Sequence, residues 1–188
     1  MDPMDQLERA QAWTGAIVAG VHKEDLHEPT PCAEWDVAKL LDHLIADIDT
    51  FNRVASGEPL DLVTSITPEE NEGRAAPDAA AAFDQVVKRA RELWSAPGAL
   101  ERIYKTSRSE LPGAGIFNIF LIELLVHGWD IAKATGQQRE MPADLAEAEL
   151  AFTTKMMKDK RMGFAEPVLA PEDASATDRL VAFLGRTP

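Results

Sequence analysis

The stretch Ile116-Phe-Asn-Ile-Phe-Leu-Ile-Glu-Leu-Leu-Val-His-Gly-Trp-Asp-Ile-Ala-Lys-Ala134 is the most apolar helical run in the chain. At helical spacing, Ile116, Phe120, Glu123, His127, Ile131 and Ala134 fall within about 80° of one another, so a carboxylate and an imidazole point inward from successive turns. No Lys or Arg shares that stripe. Burying an unpaired carboxylate costs several kcal/mol, so Glu123 must be protonated, paired with a cation or bound to a metal. The placement asks for a metal.

The rest of the chain is read around this helix. Its 188 residues suit a single domain spanning 1–188, long enough to bury a core. Apolar residues make up 45% of it, with one Tyr, few β-branched runs, and Ala, Leu and Glu throughout, which favours an all-α bundle. A net charge of −13, from 32 acidic and 19 basic residues, opposes a phosphate-tracking surface for nucleic acid. The single cysteine, Cys32, excludes an internal disulfide and suits a reducing compartment. The acidic N-terminus begins no long apolar run, so neither a signal peptide nor a membrane anchor is expected. The expected location is cytoplasmic.

Periodicity and punctuation predict the elements. A first helix covers about 3–22, with Leu7, Ala10, Trp13, Ile17 and Val21 inward. The segment His27–Trp35 contains two prolines and reads as an ordered loop. Asp36 caps a second helix running to about Ser56, with Val37, Leu40, Leu41, Leu44, Ile48 and Phe51 on its apolar face, and Gly57 and Pro59 stop it. Pro77 starts a third helix through Phe83, Val87, Ala90 and Trp94. Residues 97–114 carry no assignment. The fourth helix runs over about 115–135 and closes at Gly136. A fifth follows Pro142 to about Lys160, and a short last helix spans Thr177–Leu184.

A zinc-type site needs three or four N, O or S donors, and a catalytic one keeps a position open. Glu123 and His127 supply two. Of the other histidines, His22 and His27 fall at a helix end and in a polar loop and read as solvent-exposed, whereas His43 lies along the second helix beside Leu40, Leu44 and Asp47. His43 is the third ligand on this reading. Asp130, one turn beyond His127, is placed to orient a ligand imidazole or to take the place of a metal ligand, and Asp47, Trp35 and Trp129 are pocket candidates because each neighbours a motif residue. Cys32 has no basic sequence neighbour to activate it and reads as a buried or idle thiol. Arg53, Arg74, Lys105 and Arg108 are candidate partners for the carboxylates of an acidic ligand.

Three motifs in order, Thr30-Pro-Cys-Ala-Glu-Trp-Asp-Val-Ala-Lys-Leu-Leu-Asp-His43, Glu123-Leu-Leu-Val-His-Gly-Trp-Asp-Ile-Ala-Lys-Ala-Thr-Gly136 and Asp178-Arg-Leu-Val-Ala-Phe-Leu-Gly-Arg186, resemble the mycothiol-dependent maleylpyruvate isomerase metal-binding domain family, one of the DinB-like four-helix bundles. The resemblance spans nearly the whole chain. It implies an antiparallel four-helix bundle with additional short C-terminal helices. It also implies a divalent metal on His43, Glu123 and His127, with mycothiol as the thiol cosubstrate; from the donor chemistry Zn2+ is the expected cation and Ni2+ the alternative. Homodimers are common among related bundles. The full isomerase of this family carries a further C-terminal domain that supplies a catalytic basic residue, and this chain ends at Pro188, so an S-transferase acting on a small electrophile is expected ahead of maleylpyruvate isomerisation. Mycothiol-dependent S-transfer or thiol-dependent isomerisation is therefore the expected function, and a non-catalytic metal- or ligand-binding or stress-response module and a metal-dependent hydrolase are the alternatives; no nucleic-acid or membrane partner is expected.

Overall fold

The computed structural model of the protein describes residues 1–33, 35–58, 78–105, 110–158, 161 and 163–188. Contacts divide the chain into two compact units, Met1–Gln137 and Gln138–Pro188.

The first unit is a four-helix ring. Helix α1 (Pro3–Ala19) begins at Asp2, whose side chain accepts from the Met4 and Asp5 N–H groups, with Pro3 in the first turn. It ends three residues short of the predicted boundary because Gly20 closes it and a 3-10 turn, Lys23–His27, follows. Helix α2 (Val37–Ser56) starts at Asp36, which accepts from Lys39 N–H, and stops at Gly57, whose φ of 100° is left-handed. Helix α3 (Ala79–Trp94) is capped by Asp78; the predicted start at Pro77 lies outside the described residues. The unassigned segment contains a small antiparallel pair, β1 (Ile103–Lys105) with β2 (Glu110–Pro112), in which Tyr104 faces Leu111. Helix α4 (Gly113–Ala134) follows directly, and Gly136 turns the chain away at φ 67°.

Helix α4 packs on α1 and α2, and α3 packs on the same two helices, which closes the ring. Phe51 meets Phe120, and Trp94 meets Phe117, with ring centres 5.3 and 5.5 Å apart. Each such side chain, when fully buried, contributes about 1.5–3 kcal/mol. Helix α4 is long and apolar enough to cross a membrane by composition, but most of its apolar window is buried within the protein. It is a core helix, and Ile116, Phe120 and Ile131 of the predicted stripe have no exposed surface.

In the second unit, α5 (Ala143–Met156) packs on α6 (Ala176–Phe183). Helix α5 stops at Met157, earlier than predicted, and the expected end at Lys160 lies outside the described residues. Ser175 caps α6 by accepting from Asp178 N–H, and Gly185 at φ 84° terminates it. The arrangement is all-α, with the hairpin as a small addition.

Candidate metal centre

The packing of α4 on α2 brings three donors together. Glu123 and His127 are one turn apart on α4, with Glu123 Oε2 3.1 Å from His127 Nε2. From α2, the His43 ring approaches that of His127 edge-on, their centres 4.9 Å apart. One ligand atom from each of His43, Glu123 and His127 lies within 4.8 Å of the other two. His43 and His127 are 8% and 5% exposed, whereas the Glu123 side chain is 19% exposed, so solvent reaches the cluster on the Glu123 side. His22 and His27 are exposed, as expected.

The two imidazoles are driven in opposite directions by their surroundings. Desolvation, with a contribution from His127, pushes His43 down to about 3, so its imidazole is neutral near pH 7 and free to donate a lone pair. Its Nδ1 is buried with no hydrogen-bond partner. His127 goes the other way: burial opposes its charge, but hydrogen bonds to Asp130, Cys32 and Glu123, together with the Glu123 charge, hold it well above the usual histidine range. Asp47, one turn from His43, is fully buried with neither oxygen partnered, and its pKa is raised by burial and then by Glu123. A buried carboxylate and an orphaned ring nitrogen around two imidazoles and a second carboxylate fit a divalent cation, whose charge would offset theirs.

The third contribution is the loop that enters α2. Thr30 Oγ1 donates to Trp35 O (2.7 Å), Cys32 N–H donates to Thr30 Oγ1 (3.1 Å) and Trp35 N–H donates to Cys32 O (2.8 Å). A bridge between Pro29 and Asp36 closes its base. The loop lays the Trp35 ring 4.3 Å from His43 and 6.3 Å from His127. It also brings Cys32 Sγ within 3.3 Å of Asp130 Oδ2 and 4.0 Å of His127 Nδ1. Asp130 Oδ2 is itself 3.3 Å from His127 Nδ1. The histidine beside Cys32 in space lies 95 residues away in sequence, so the neighbours of Cys32 in the chain give no sign of it. The cluster is not a nucleophile–base–acid relay: that arrangement needs thiol and carboxylate on opposite ring nitrogens, and here both face Nδ1.

The remaining candidates lie elsewhere. Trp129 is fully buried, with the Lys133 ammonium 4.9 Å over its ring. Arg53 pairs with Glu58 and Lys105 with Glu110, while Arg74 and Arg108 fall outside the described residues. A cleft of about 310 Å³ is lined by His27, Thr30, Trp35, Asp36 and Lys39 among others, so Trp35 is shared between it and the His43 ring. One buried acid was not singled out from sequence. Glu149 on α5 has no exposed surface, both oxygens are unpartnered, and burial pushes its carboxyl up to about 8. Its place on the inward stripe with Leu145, Ala146 and Thr153 was the available signal, the same one that singled out Glu123.

Residues 7–132 match the family described as mycothiol maleylpyruvate isomerase N-terminal domain. The chain belongs to this family. The matched span lies within the first compact unit and includes all three donors. Two proteins from Mycobacterium tuberculosis, "Uncharacterized protein MT0763" of strain CDC 1551 / Oshkosh and "Uncharacterized protein Rv0738" of strain ATCC 25618 / H37Rv, are each 32% identical over 191 residues, covering all of this chain and 99% of the relative. The crystal structure of a mycothiol-dependent maleylpyruvate isomerase shares the fold, with a TM-score of 0.63 at 14% identity, over 80% of this chain and 67% of that one.

Proposed function

We propose that this member of the mycothiol maleylpyruvate isomerase N-terminal domain family is a divalent-metal protein that holds Zn2+ on His43, Glu123 and His127. In this reading it uses mycothiol for S-transfer to a small electrophile or for thiol-dependent isomerisation. The observation that carries the reading is the convergence of two imidazoles and one carboxylate within 4.8 Å, mostly buried, on the two helices that the family match includes. When bound, the cation would supply Lewis acidity that lowers the pKa of a thiol entering its coordination sphere. The protein's own residues prepare the place. His43 is neutral without any proton having to leave it near pH 7. Asp130 accepts at Nδ1 of His127 and leaves Nε2 directed at Glu123. Trp35 covers His43 and limits water there, so the more exposed Glu123 side is the route for a small thiol and its electrophile. The reading also places the protein as one functional domain in a reducing cytoplasm, where Cys32 and a thiol cosubstrate both persist.

The test is calorimetric titration of mycothiol into the Zn2+-loaded protein in two buffers of different ionisation enthalpy, beside His43→Ala. Binding that releases a proton and disappears in the variant supports a thiolate at the metal. Absence of binding to a sample of verified metal content removes the thiol reading and leaves a hydrolase or a non-catalytic binder. His43→Ala and His127→Ala are each expected to lose stoichiometric metal, and Glu123→Gln to bind it more weakly, by chelator competition; full metal content in both histidine variants would overturn the ligand assignment.

A further inference from the structure

The loop between Pro29 and Asp36 touches the ligand pair at two points, through Trp35 on His43 and through Cys32 beside His127. We propose that Cys32 is a positioning residue for the metal centre: its thiol donates to Asp130 and fixes that carboxylate, so that Asp130 holds His127 by Nδ1 with Nε2 directed at Glu123. The inference rests on the ligand assignment above and extends it to a residue outside the donor set.

The geometry orders the three groups. Cys32 Sγ is nearer the carboxylate (3.3 Å) than the ring nitrogen (4.0 Å), so the S–H bond runs to Asp130, and the same Oδ2 faces His127 Nδ1 at 3.3 Å. Asp130 has no exposed surface. A carboxylate buried to that degree takes its orientation from the donors that reach it, and His127 and Cys32 approach from different elements, α4 itself and the loop. The loop holds Cys32 by its N–H, which donates to the Thr30 hydroxyl, and by its carbonyl, which accepts from Trp35 N–H, so the thiol's position is independent of a cation. Cys32, His127 and Asp130 also have donors mutually within 4.8 Å. A second cation there would take both ring nitrogens of His127 and require an imidazolate, whereas a hydrogen-bonded Nδ1 with Nε2 on one metal needs only the neutral ring. The single-metal arrangement with a positioning thiol is therefore the simpler chemistry.

The experiment compares the full chain with Cys32→Ala, Cys32→Val and Cys32→Ser. Zn2+ affinity and stoichiometry are read by chelator competition, and the His127 ring-nitrogen signals are read by NMR on metal-free protein. Ala and Val should weaken Zn2+ binding about tenfold and broaden or shift the His127 Nδ1 signal. Ser, which keeps a donor, should restore both. Val leaves no cavity where the thiol was and carries the comparison if Ala does not fold. Unchanged affinity and an unchanged ring signal in the folded Ala or Val variant would overturn the proposal, as would two Zn2+ per wild-type chain with one lost on removing the thiol. If the wild type binds no Zn2+, the ligand assignment falls by that result, and the ring signal alone decides the role of Cys32.

Discussion

At the scale of residues, the centre depends on opposite treatment of two imidazoles. His43 is driven neutral by burial and by His127, while His127 keeps a proton between the carboxylates of Glu123 and Asp130. A cation taking Nε2 must displace that proton, so Zn2+ uptake at pH 7 is expected to release about one proton per chain. Calorimetry of Zn2+ binding to the unloaded protein in two buffers measures it, and buffer-independent heats would refute the protonated starting state. Asp130→Asn retains the shape but removes the charge facing Nδ1; it should cost about 10-fold to 100-fold in metal affinity, read by chelator competition. The Glu123–His127 pair was legible from sequence because four residues on a helix always share a face. The contact of Cys32 with Asp130 was not, because no local rule relates a loop thiol to a carboxylate 98 positions away.

At the scale of elements, the close approach of α1 and α4 has an identifiable cause. A Cβ on Gly128 would lie 2.8 Å from a Trp13 ring carbon and 3.0 Å from Thr14 Oγ1, and that hydroxyl donates to Leu124 O at 3.0 Å. Gly128→Ala should therefore destabilise the fold by about 1–3 kcal/mol, measured by urea unfolding, and loosen the donor cluster through the neighbouring His127; a midpoint equal to wild type would show that α1 yields freely. On α5, Glu149 gives a pH signature. Its folded pKa of about 8 exceeds the unfolded value near 4.5, so the folded state retains a proton that the unfolded chain releases. The stability this provides is complete below about pH 4.5 and is lost as pH rises through about 8, by an amount on the order of a few kcal/mol. Glu149→Gln should remove that component, so parallel stability curves for variant and wild type between pH 5 and 8 would contradict the assignment.

At the scale of the molecule, a cation bound to residues of both α2 and α4 would stabilise the folded state by linkage. Zn2+ at 100 times its dissociation constant is expected to add about 2.7 kcal/mol, seen as a rise in melting temperature that His43→Ala abolishes. A shift that survives in His43→Ala would mean that the metal sits elsewhere. The unpartnered Asp47 carboxyl belongs to the same balance, because a dipositive charge beside it would offset part of its burial cost. The net charge of −13 bears on solubility and on repulsion from phosphate polymers, while the local charges of the centre follow from burial and from the partners that reach each group.

The sequence by itself determined which segments form the long helices, where α2 begins and ends, that α4 is central, and that Glu123 and His127 face one way. Those properties follow from helical period, capping side chains and left-handed glycines, all of which act within a few residues. His43 could be nominated from its place on α2, but its distance from Glu123 and His127 depends on the register of α2 against α4. Only the tertiary structure set that register, laid Trp35 on His43, and brought Cys32 to Asp130. These are contacts between elements far apart in the chain, and side-chain packing at the helix interface, which no local periodicity encodes, decides them.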